Sequence, residues 1–209
     1  MKNIEWIFFD MGYTLVNEDP VHDLRVATAI AELAEKGIVV TREQFWKEVY
    51  HQGSLGRAPV PCAAKHFGLK RAMKYTTDGE IAFEDARPAL LALKAKNYKL
   101  GIIANQPLGS VERLTRYGLI DCLDAVFPSA EVGIDKPDPN LYTYALQAIG
   151  CSANKAVMVG DRPDNDIEPA ASVGMHTVRI LRGFFRDRED VNVKPDYTIT
   201  SLMQLNEIF

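Results

Sequence analysis

Four side chains can do chemistry as a set if the fold brings them together: Asp10, Lys136, Asp161 and Asp166. Asp10 closes the apolar run Trp6-Ile7-Phe8-Phe9, and a small residue, Gly12, and a hydroxyl, Thr14, follow within one short loop. Lys136 stands in Gly133-Ile134-Asp135-Lys136-Pro137-Asp138-Pro139. Asp161 opens Gly160-Asp161-Arg162-Pro163-Asp164-Asn165-Asp166-Ile167. Three carboxylates supply the oxygen donors that Mg²⁺ prefers. Clustered, they repel one another, so a cation or the Lys136 ammonium is needed to keep them ionised. Metal and lysine together can hold a phosphoryl dianion while a carboxylate attacks it. The aspartyl-phosphate so formed splits hydrolysis into two easier steps. Any one of these aspartates alone reads as readily as a turn cap, so the inference rests on the set.

Such a set needs a fold that gathers strand ends. Apolar runs at Ile4 to Phe9, Lys99 to Ala104, Ala125 to Phe127, Ala156 to Val159, Thr177 to Ile180 and Tyr197 to Ile199 read as strands. Buried parallel strands have this continuous apolar character. Helical spacing lies between most of them. Pro88 opens a helix to about Asn97, Ser110 to Tyr117 forms a short one, and Asp138-Pro139 starts one that Gly150 closes. Strands alternating with helices imply βαβ units and a parallel sheet. Open sheets of that kind place ligands beyond the strands' carboxyl ends, where Asp10, Asn105 and Asp161 all fall. The stretch from about Asn17 to Phe83 breaks the alternation. Helices are expected over Val21 to Lys36, from the Thr41 and Gln44 capping box to Tyr50, and between Cys62 and Lys74, with no convincing strand. It reads as a helical insertion forming a lid over the strand ends.

The chain has 209 residues, a net charge of −4 and 47% hydrophobic content, enough for a real core and against disorder. Mild acidity gives no reason to expect nucleic acid or a membrane as partner. No long apolar span or signal-peptide layout is present, since Asp10 interrupts the first apolar run. Three scattered cysteines, Cys62, Cys122 and Cys151, suggest reduced thiols in a cytoplasm. His22, His51, His66 and His176 share no metal-ligand spacing, which argues against zinc. Arg179, Arg182, Arg186 and Arg188 with Asp187, Glu189 and Asp190 read as a mixed-charge exposed loop, and Phe184-Phe185 within it as an exposed apolar contact.

Four ordered blocks carry a resemblance: Phe9-Asp10 with Thr14-Leu15, Gly101-Ile102-Ile103-Ala104-Asn105, Lys136-Pro137-Asp138-Pro139, and Val159-Gly160-Asp161 with Asn165-Asp166-Ile167. In these the chain resembles the haloacid dehalogenase superfamily, in the subfamily with a helical cap inserted after the first core strand. The resemblance implies a Rossmann-like α/β core, residues 1–16 and 84–209, with helices on both faces of a parallel sheet and strand one central. A small all-helical cap takes residues 17–83. It implies Asp10 as nucleophile and Mg²⁺ held by Asp10, the backbone carbonyl of Gly12 and Asp161, with Asp166 acting directly or through water. Lys136 pairs with Asp10 and the phosphoryl group, and Thr14 supports the loop. The implied partner is a small phosphorylated substrate, and the chain a monomer or homodimer.

The sequence departs from that family in two places that matter. Phosphatases of the family carry a second aspartate two residues after the nucleophile, where this chain has Gly12. General acid–base help of that kind is worth roughly 10²- to 10⁴-fold. The phosphate-binding Ser or Thr ending strand two is Ala104, with Asn105 as partial substitute, and Tyr13 stands where glycine is usual. Three readings follow. The chain is a specialised Mg²⁺-dependent phosphatase, or it performs phosphoryl transfer or another bond cleavage with the same nucleophile, or it is a weakened phosphate- or metabolite-binding pseudoenzyme. Dehalogenase chemistry is disfavoured because Asp161 and Asp166 preserve a metal site that it does not use.

Overall fold

The computed structural model describes residues 3–189 and 192–209. Six strands form a parallel sheet: β1 (Trp6–Phe9), β4 (Lys99–Ala104), β5 (Ala125–Pro128), β6 (Ala156–Gly160), β7 (His176–Ile180) and β8 (Tyr197–Ile199), in the order β5-β4-β1-β6-β7-β8. Two short strands, β2 (Val16–Asn17) and β3 (Ile81–Ala82), pair separately. Strand β1 is central, with Phe9 opposite Ile102 on one side and Val159 on the other. Three strand ends thus lie side by side: β4, β1 and β6.

Successive side chains of a strand face opposite ways, and both faces here are covered. Ile7, Phe9, Leu100, Ile102, Val157 and Val159 pack in one cluster with Leu90 and Leu93 of α4 (Ala86–Ala95) and Leu205 of the C-terminal helix Leu205–Ile208. Phe8, Ile103 and Met158 pack on the other face with Leu141, Tyr142 and Ala145 of helix Pro139–Ile149. Gly101 belongs to this packing, because a Cβ there would lie 2.7 Å from the Phe8 ring. This is the α/β, Rossmann-like architecture expected of the sequence. Helix Pro139–Ile149 starts as expected, with the Asp138 side chain accepting from Asn140 N at 2.9 Å and Pro139 in its first turn.

By contact density the chain forms two compact units. The first contains the sheet and runs up to Val16, over Ala82–Arg182, and through the C-terminal segment to Phe209. The second comprises Asn17–Ile81 together with Gly183–Glu189. It holds α1 (Asp19–Glu35), α2 (Arg42–Ser54) and α3 (Pro59–His66). The Thr41 capping box forms as expected, Thr41 Oγ1 accepting from Gln44 N at 3.2 Å. Helix α3 begins before Cys62 because Pro59, with no N–H to satisfy, suits a first turn.

Three expectations need correction. The stretch 17–83 is not free of strand, since β2 and β3 lie at its ends. Phe184 and Phe185 are not an exposed contact but are buried. Phe184 packs edge-on to His22 at 4.7 Å and beside Trp46 and Tyr50 in the helical unit. An apolar pair gains more from an aromatic pocket than a polar loop context suggests. Nor do the arginines form one exposed patch: Arg179 is buried on β7, and Arg182 lies over the Phe83 ring at 4.2 Å. All three cysteines are free, and no helix among the described residues is long and apolar enough to cross a membrane.

Candidate active site

Each central strand ends one residue before a polar side chain. Asp10 follows β1, and its N–H donates to Val159 O on β6 at 2.9 Å, which fixes the start of the loop after β1 to the neighbouring strand. Asn105 follows β4 and Asp161 follows β6. Asp166 comes from a single π-helical turn, Pro163–Ile167, a distortion frequent at functional sites. Lys136 reaches in from the loop before Pro139, which has a cis Lys136–Pro137 bond.

The sheet therefore brings together four of the expected residues. Oxygens of Asp10, Asp161 and Asp166 lie within 4.8 Å of one another. Lys136 Nζ donates to Asp10 Oδ1 at 2.5 Å and to Asp166 Oδ1 at 2.6 Å. Lys136, Asp161 and Asp166 are buried, while Asp10 is partly open. Burial alone would pull the lysine down, but the charges of Asp10 and Asp166 hold its ammonium well above the usual range. Lys136 faces three carboxylates, and Arg162 acts on two of them, Asp161 and Asp166. Burial, then repulsion from Asp166 and Asp10, pushes Asp161 well above the ordinary carboxylate range. An all-oxygen cluster with a surplus of buried negative charge fits a hard divalent cation such as Mg²⁺.

Asn105 is tied to the loop that carries Lys136. Its Nδ2 donates to Lys136 O at 2.8 Å and its Oδ1 accepts from Lys136 N at 2.6 Å. The amide thus clamps the backbone that carries the lysine. Thr14 is fully buried, and its hydroxyl has no hydrogen-bond partner among the described residues. Tyr13 is buried with φ of 51°, in the left-handed region that glycine adopts without strain. Asp164, in the same turn as Asp166, pairs with Arg162 at 3.0 Å.

Several supporting groups carry no sequence signal of their own. Arg162 N donates to Asp166 Oδ2 at 2.9 Å. Tyr142 OH donates to Asn165 O at 2.6 Å, bracing the same turn from Pro139–Ile149. Gly160 lies so close behind Asp166 that a Cβ would overlap its carboxyl group. The small residue beside Asp161 was visible in the sequence, but its reason was not.

Comparison with known proteins gives one consistent picture. A family model described as haloacid dehalogenase-like hydrolase matches residues 4–174. The chain is 33% identical to a glyceraldehyde 3-phosphate phosphatase of Methanocaldococcus jannaschii, covering 98% of this chain and 96% of that one. It is 30% identical to a protein of the same name from Pyrococcus furiosus, covering 100% and 94%. Among solved structures, a HAD phosphatase from Thermococcus onnurineus superposes with a TM-score of 0.69 at 29% identity, covering 98% of this chain and 97% of that one.

Proposed function

The chain belongs to the haloacid dehalogenase-like hydrolases, and from that premise we propose that it is a Mg²⁺-dependent phosphatase of small phosphorylated metabolites. The observation that carries this reading is Lys136 Nζ held between Asp10 and Asp166, 2.5 and 2.6 Å away, inside a cluster of three carboxylates. Mg²⁺, held by Asp10, Asp161, Asp166 and the Gly12 carbonyl, would supply electrophilic stabilisation of the phosphoryl oxygens.

Asp10 attacks phosphorus, an Asp10 Oδ–P bond forms, and the ester P–O bond breaks with its electron pair leaving on the alcohol oxygen. Lys136 neutralises Asp10 and the phosphoryl group as charge shifts between them. Water then attacks phosphorus, breaking the Oδ–P bond and releasing inorganic phosphate and the free Asp10 carboxylate. Asn105 acts by holding the Lys136 loop, and Thr14 by filling the turn after Asp10. Gly12 carries no acid, so the leaving oxygen takes its proton from a substrate group, from water or from a residue of the cap. Residues 17–83 act as a helical cap that selects the substrate, and the enzyme works in the cytoplasm.

The named relatives make a triose phosphate the first substrate to try. Purified protein with Mg²⁺ is assayed for phosphate release from glyceraldehyde 3-phosphate and a panel of sugar and amino-acid phosphates, and for a phosphate adduct on Asp10 with acetyl phosphate as donor. The expected result is release abolished in Asp10→Asn. Undiminished release in that variant would overturn the mechanism. Folded, metal-bound protein with neither adduct nor release would make it a binding protein.

A further inference from the structure

The turn after Asp10 is closed from within by Met11 O and by Val16 O, which accepts from Tyr13 N at 2.8 Å. Met11 O receives N–H groups from Thr14 at 3.3 Å, Leu15 at 2.9 Å and Val16 at 2.9 Å. These bonds fix the inside of the turn but not the direction of its exit. The exit is held by the pairing of β2 with β3 and by further bonds from the sheet-bearing unit. Phe83 N donates to Leu15 O at 2.9 Å, and Arg182 Nη1 donates to Thr14 O at 3.2 Å. Of these two donors, Arg182 is the side chain.

Arg182 is itself fixed on three sides. Its guanidinium lies 4.2 Å from the centre of the Phe83 ring, and Nη2 donates to Asp85 Oδ2. That same oxygen accepts from Ser201 Oγ at 2.8 Å and Leu202 N at 2.9 Å. Burial pushes the Asp85 carboxyl up, but the hydrogen bonds from Arg182, Ser201 and Leu202 win and keep it below the usual range. The anchor therefore stays ionised at neutral pH. A planar fork that binds a carboxylate, reaches a carbonyl and stacks on a ring is a task lysine does not reproduce.

We propose that Arg182 is a positioning residue for the reaction: through the Thr14 carbonyl it sets the turn that presents the Asp10 carboxylate and the Gly12 carbonyl to the metal and substrate. The inference rests on the proposed function for its chemistry, but not for its metal readout. Small displacements of reacting groups are costly, a shift of about 1 Å reaching roughly 100-fold in rate.

The test compares Arg182→Gln and Arg182→Lys with the parent and with Leu146→Ala. The last is a core substitution in helix Pro139–Ile149, in the cluster on the other face of the sheet from Met11 and Leu15. Binding of Mn²⁺ is followed by electron paramagnetic resonance without any substrate, and kcat and KM are measured for phosphate release. Arg182→Gln is expected to weaken Mn²⁺ binding by about 3- to 10-fold and to lower kcat by about 10- to 100-fold, with KM changed little. Arg182→Lys falls between it and the parent, and Leu146→Ala keeps both values despite its lower Tm. A folded Arg182→Gln with Mn²⁺ affinity and kcat within about twofold of the parent overturns the inference, as does an equal loss in Leu146→Ala. If the parent binds Mn²⁺ but releases no phosphate, the proposed function fails while the Mn²⁺ comparison still decides the role of Arg182. A parent that binds no Mn²⁺ overturns both.

Discussion

Lys136 Nζ lies 2.5 Å from Asp10 Oδ1, joining residues that are far apart in sequence into one largely buried ion pair. Its second partner, Asp166 at 2.6 Å, is more deeply buried still. Removing one member of such a pair leaves uncompensated charge, at a cost of about 3–5 kcal/mol. Lys136→Met is therefore expected to lower Tm sharply in metal-free buffer. Millimolar Mg²⁺ should restore part of the loss, because a cation then replaces the ammonium. Thermal melts with Mg²⁺ and with chelator check this, and a variant insensitive to Mg²⁺ would contradict the cation site. Activity is expected to fall by at least about 100-fold, since charge on the phosphoryl group goes unmet.

Gly160 and Asp166 make a steric prediction. A Cβ at position 160 would overlap the Asp166 carboxyl group, so Gly160→Ala must move that carboxylate. Overpacking costs about 1–3 kcal/mol. The more telling effect is on metal: the Mg²⁺ concentration for half-maximal activity should rise at least about tenfold. An unchanged value would mean that Asp166 does not hold the metal.

Gly12 concerns the missing acid. Gly12→Asp places a carboxyl two residues after Asp10, and general acid catalysis is worth roughly 10²- to 10⁴-fold. Turnover of unactivated phosphate esters should rise, and turnover of esters with good leaving groups should change little. A folded, Mg²⁺-binding variant with no gain would show that the proton already has a source or that chemistry is not limiting.

In the helical unit, Glu18 Oε2 and His22 Nε2 lie 3.5 Å apart, yet near pH 6 they form no ion pair. Burial, then the charge of Glu80, pushes Glu18 up to about 7, although Tyr75 and Arg25 oppose it. Burial and the charge of Arg25 pull His22 down to about 4. The folded unit thus binds more protons than the unfolded chain at Glu18 between pH 4.5 and 7, and stability falls as pH rises there. At His22 it binds fewer between pH 4 and 6.5, and stability rises. The two slopes oppose one another. Glu18→Gln removes the falling one, so the difference in urea midpoint between variant and parent should grow from pH 4.5 to 7. A constant difference would mean that Glu18 is an ordinary carboxylate.

The sequence by itself determined the architecture and the main chemical groups. Apolar runs such as Trp6–Phe9 and Lys99–Ala104 announce buried strands because covered strands have no polar face to show. The Thr41–Gln44 box and Asp138-Pro139 mark helix starts because capping depends on residues a few positions apart. Asp10 and Asp161 were legible as neighbours because ends of parallel strands lie along one edge, and Lys136 and Asp166 because they stand in the loop and turn that the resemblance assigns to the same site.

Only the tertiary structure decided what each neighbour does. Asn105 clamps the Lys136 backbone, Gly160 makes room for Asp166, and Arg182 ties Thr14 to Asp85. Phe184 and Phe185, flanked by polar residues, are buried, Phe184 among aromatics of the helical unit. These assignments depend on contacts between distant segments, and nothing in local spacing encodes where a side chain will find its partner. Periodicity reports which face of an element is covered; the covering residue is settled by packing.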